Sequence, residues 1–128
     1  MSTPADARWR SSLSVLCRVI GLLMTGSGSL MIPIGLFVGP EIVCGAILYL
    51  LAGLSYFIAA SGLVREKSWA VPLVVWHSAL IAAVGGLGAW QASRSTEVAG
   101  VVLWSAASLF FATVAFLARG PRTRGRSA

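Results

Sequence analysis

Charge is the scarcest commodity in this chain. Only 11% of its 128 residues are charged, ten Lys or Arg against four Asp or Glu, and there is one histidine. An ordinary soluble domain carries about 25%. With 57% hydrophobic residues and a mean hydropathy of +0.85, too little polar surface remains to cover a water-soluble body of this length, and the chain falls in the membrane class. The acids Asp6, Glu41, Glu66 and Glu97 form no paired-acid motif in the sequence. No second histidine accompanies His77, and there is no H-x-x-x-H, C-x-x-C, Ser-x-x-Lys or phosphate-cradling glycine loop. An enzyme is not expected. Cys17 and Cys44 have no metal-ligand or redox spacing and read as buried small residues. The net charge of +6 does not indicate nucleic acid, because the basic residues sit in the tails and one loop instead of along a face with aromatics between them.

What is present is long apolar runs. Residues 1–18 form a short polar segment in which Arg8, Trp9, Arg10 and Arg18 approach a membrane interface. Four spans follow, at 19–38, 42–64, 69–92 and 98–118. Each supplies the roughly 20 residues needed to cross about 30 Å of hydrocarbon at 1.5 Å per residue. A cleavable signal peptide is the rival reading of the first run, but such an apolar region stops after about 7 to 15 residues, whereas here apolar character resumes at Leu30. Three short loops join the spans: Gly39, Pro40 and Glu41; Arg65 to Ser68; and Ser93 to Glu97. Pro72 falls in the first turn of the third span, where its missing donor matters little. Residues 119–128, with Arg119, Arg122, Arg124 and Arg126 among Gly, Pro and Ser, read as a disordered basic tail in contact with anionic lipid.

The expected fold is an all-α, four-helix transmembrane bundle, up-down-up-down, with short loops. If both termini share a side, nine of the ten basic residues lie there and only Arg94 lies opposite. The positive-inside rule then places both termini in the cytoplasm of a bacterial-type inner membrane. Cys17 and Cys44 fall at opposite faces, beyond the roughly 7 Å limit between Cα atoms for a disulfide.

The first span contains the one irregular stretch, M-T-G-S-G-S-L-M-I-P-I-G from Met24 to Gly35. Gly26 and Gly28 weaken the helix and Pro33 removes the donor that would meet the Ser29 carbonyl, so a kink or a break is expected. Gly21, Thr25 and Ser29 also have the four-residue spacing of close helix packing, as do Gly35 with Gly39, Ala79 with Ala83, Ala82 with Gly86 and Ser108 with Ala112. On the third span Trp76, Ala79, Ala83, Gly86 and Trp90 share one face, a docking groove or a packed seam.

His77 is the one ionisable residue well inside a span. Such a group is a functional candidate by default. Counting depth from the span ends sets it beside Ser27, Ser55, Tyr56 and Ser108 in a mid-membrane polar patch. His77 reads as a proton-relay step, a donor to a substrate, or an axial ligand for a haem or chlorin within a larger complex. Against these stands a neutral imidazole bonded to a hydroxyl on the next helix. No other cofactor and no metal is expected. No buried acid or lysine accompanies the patch, which weakens an ion or proton cycle. The leading expectation is therefore a non-enzymatic accessory or scaffold subunit that recognises other membrane proteins, or copies of itself, through lateral helix contacts. A small oligomeric transporter or channel lined by the patch is the alternative.

A faint repeat relates the second span to the fourth. Gly45, Leu48, Tyr49, Ala52, Leu54, Tyr56 and Ala60 fall opposite Gly100, Leu103, Trp104, Ala107, Leu109, Phe111 and Ala115 without a gap. Chance similarity in so restricted an alphabet is the competing account. A true duplication would relate two hairpins by an axis along the membrane normal.

Overall fold

The computed structural model describes residues 3–120 and is all-helical there: α1 Pro4–Val38, α2 Pro40–Val64, α3 Ala70–Arg94 and α4 Val98–Ala118. All four helices are long and apolar enough to span a membrane. The expected tail at Arg122, Arg124 and Arg126 lies outside the described residues.

The helix α1 starts well before the apolar run, because Thr3 caps it. The Asp6 amide donates to Thr3 Oγ1 at 3.2 Å and the Thr3 amide donates to Asp6 Oδ2 at 3.2 Å, a reciprocal capping box with Pro4 in the first turn. With Ala, Arg and Leu following and no further glycine or proline before Gly21, helix continues through the polar segment. At 35 residues α1 is roughly 52 Å long, well over the hydrocarbon thickness. It is also unbroken through Gly26, Gly28 and Pro33.

The first turn is tighter than the expected three residues. Pro40 already opens α2, so Gly39 alone joins the helices, at φ 160° and ψ 158°. A residue before proline is held extended by the ring, and the Gly39 amide still donates to the Gly35 carbonyl at 2.8 Å. The other two loops use left-handed residues. After α2, Glu66 has φ 53°, its amide donates to Leu63 O and that of Lys67 to Gly62 O at 2.9 Å, a Schellman closure. After α3, Thr96 has φ 60° and the Glu97 amide donates to Ala92 O at 3.3 Å.

The chain divides into two compact units, Met1–Ala70 and Val71–Ala128. In the first, α1 and α2 meet glycine against backbone. A Cβ added at Gly21 would lie 2.9 Å from the Gly53 carbonyl oxygen, one at Gly28 2.9 Å from that of Ala46, and one at Gly35 2.9 Å from the Val43 amide nitrogen. Ordinary carbon contacts fall at about 3.5–4.0 Å, so these helices approach closer than any side chain permits. The expected Gly21 and Thr25 belong to this contact, since Gly53 packs on both, but its third member is Gly28, and Ser29 is exposed. In the second unit a Cβ at Gly85 would meet the Ser108 backbone at 3.2 Å, and one at Gly88 would enter the Trp104 ring. Ser108 Oγ donates to the Ala82 carbonyl at 2.7 Å across the two helices.

Burial follows the faint sequence repeat. Tyr56, Ala59, Ala60 and Leu63 are buried on α2, and so are Phe111, Val114, Ala115 and Ala118 on α4, each 55 residues further on. Around these cores, large apolar side chains such as Leu22, Leu30, Leu36, Phe37, Leu48, Leu87, Val98 and Leu109 are exposed. In water they would form an aggregation surface; in hydrocarbon they are solvated.

Candidate functional site

The five patch residues have different local surroundings. In the first unit Ser27 is exposed, whereas Tyr56 is only 1% exposed. The register explains the separation in depth: Gly21 stands against Gly53 and Phe57 and Gly28 against Ala46 and Leu50, so Tyr56 lies level with the Gly21 region and not with Ser27. Ser55 turns its hydroxyl back to the Leu51 carbonyl at 2.9 Å, within its own helix. In the second unit Ser108 is committed to Ala82 O, His77 is half-buried and the adjacent Ser78 is fully buried. Tyr56, His77 and Ser78 are each engaged in an interaction. Gly85 and Gly88, two and three turns beyond His77, do admit a neighbouring helix, and that helix is α4. Among the described residues, no three His, Cys, Asp or Glu side chains gather as a metal site would require.

The cysteines differ from expectation in one respect. Cys17 is buried and Cys44 is exposed, and both are free.

The α3 face behaves as a surface. Trp76 is 76% and Trp90 63% exposed, and Ala79, Ala83 and Gly86 between them are exposed as well. A Cβ at Gly86 would find only Ser108 Oγ at 3.7 Å, an ordinary contact. This stripe is therefore not used to close its own hairpin. At its end the Arg94 guanidinium lies 5.8 Å from the centroid of the Trp90 ring, a cation–π contact that anchors the end of α3. Trp69, by contrast, rests its ring on Gly62 at the other end of the chain's second loop.

Sequence reasoning missed two features. Gly53, the residue on which Gly21 and Thr25 both pack, has no partner at four-residue spacing that would have flagged it. A groove of about 320 Å³ lined by Ala79, Ala82, Ala112, Ala115, Phe116 and Arg119 was foreshadowed only as scattered small residues and a tail arginine.

Comparison with protein-family models, with curated proteins and with solved structures returns no match to this chain.

Proposed function

We propose that this is a non-enzymatic accessory or scaffold subunit of a membrane complex, acting through lateral helix contacts. The observation that carries the reading is the exposed stripe of α3, where Ala79, Ala83 and Gly86 lie between Trp76 and Trp90. Small residues let a second helix approach closely in lipid, where packing and not the hydrophobic effect drives association. Loops of one to five residues leave little surface outside the membrane for recognition. The charge distribution, nine basic residues against one, supports both termini in the cytoplasm and an up-down-up-down bundle in a bacterial-type inner membrane.

Native gels of the complex extracted in mild detergent, with mass spectrometry of the band, test the role. A heteromeric band is expected, and Gly86→Leu should release the chain from it. Gly86 has room on its own hairpin, so release would report a lost lateral contact and not misfolding, and unchanged complex size would refute the reading. Gly35→Leu is not equivalent, because Gly35 is pressed on Val43. A homo-oligomer alone would move the assignment to transport, to be checked by flux with His77→Ala and Ser27→Val. A Soret band in the isolated complex, lost in His77→Ala, would assign the histidine to a haem. For orientation, an impermeant maleimide added outside intact cells should label Cys44; labelling only after lysis reverses the topology.

A further inference from the structure

We propose that the groove between α3 and α4 seats an acyl chain of an anionic phospholipid whose phosphate is held by Arg119. Four of its six lining residues are alanines, Ala79 and Ala82 on one helix and Ala112 and Ala115 on the other, and Phe116 completes an apolar wall. The single charged group is the Arg119 guanidinium, one turn beyond Ala115 at the end of α4. An occupant matching this lining is apolar along its length and anionic at one end.

Lining and charge select among such occupants. From Ala112 to Arg119 the groove follows seven residues, roughly 10 Å of helix axis. The groove is open to its surroundings, and its lining of five apolar residues and one cation suits a hydrocarbon chain that ends in an anionic head. The α3 stripe that suits a helix and this groove share only Ala79. Charge agrees: Arg122, Arg124 and Arg126 follow Arg119 in sequence, and basic pockets between transmembrane helices recruit anionic head groups. The inference rests on the chain being in a membrane and is independent of its partners.

Full-length protein, delipidated in detergent, is titrated with phosphatidylglycerol and with phosphatidylcholine of the same acyl chains, and bound lipid is counted by native mass spectrometry. Phosphatidylglycerol adducts should exceed phosphatidylcholine adducts by roughly fivefold, the effect of one basic side chain near an anionic surface. Arg119→Gln should bring the two to parity. Ala112→Leu and Ala79→Leu, both at exposed positions, should fill the groove and remove the adduct with Arg119 intact, helicity by circular dichroism being unchanged. Replacing Arg122, Arg124 and Arg126 by Gln should leave the preference. Equal binding of the two lipids overturns the proposal, as does undiminished binding in both leucine variants, which would mark a head-group contact alone, or loss of preference only in the tail variant.

Discussion

The two hairpins solve the same packing problem with different atoms. In α1–α2 the contact is bare backbone: Gly21 faces the Gly53 carbonyl and Gly28 the Ala46 carbonyl. In α3–α4 the position 55 residues after Gly53 is Ser108, which packs on Gly85 and hydrogen-bonds Ala82 O at 2.7 Å. Glycine contacts give the closest approach and no directional bond. The serine contact adds one polar tie between the helices. The pair with the polar tie also carries the alanine groove.

Exchanging the two residues should break the symmetry of this comparison. Gly53→Ser puts a side chain into Thr25 and the Gly21 carbonyl, and overpacking of this kind costs about 1–3 kcal/mol; we expect about 3, read from unfolding in mixed micelles by circular dichroism. A cost below about 1 kcal/mol would mean that α1 and α2 separate easily. The loops provide the next largest effect, of opposite sign. Thr96 is β-branched and held at φ 60°, a conformation costing a non-glycine residue about 1–2 kcal/mol, so Thr96→Gly should stabilise the second hairpin by about 1 kcal/mol in the same assay. The smallest change is Ser108→Gly, which forfeits one interhelical hydrogen bond and should cost about 0.6 kcal/mol. A larger loss would make Ser108, and not the glycines, the main tie of α3 to α4.

Much of the helical layout was legible beforehand, because length and apolarity alone decide which segments can cross hydrocarbon. The spans 42–64 and 98–118 differ from α2 and α4 only at the start of α2. The misplaced details share a cause: local chemistry at helix ends. The Thr3–Asp6 capping box draws helix into the polar segment, and Pro40 is a helix start instead of part of a turn. Of the kink or break expected at Gly26, Gly28 and Pro33, a break does not occur, for a related reason. Pro33 removes one donor, but the rest of the ladder in a 35-residue helix persists where no water competes for it.

The candidate sites were legible to a lesser degree. The stripe from Trp76 to Trp90 follows from helical periodicity, and only its exposure had to be learned from the fold. The polar patch illustrates the converse. Depth counting takes the span ends at Val19 and Val64 as level, but the turn at Gly39 sets Gly21 against Gly53, so Ser27 and Tyr56 separate along the first hairpin.

The order of apolar and polar runs by itself determined that this chain has four helices long and apolar enough to span a membrane, since run length and hydropathy are sums over many residues that no single contact can overturn. Tertiary structure alone decided which glycines are pressed against backbone, which small residues remain outward and where an arginine closes an alanine groove. Those outcomes depend on the register between helices, and register is set by a few ångströms of side-chain fit that leave no mark on hydropathy or spacing.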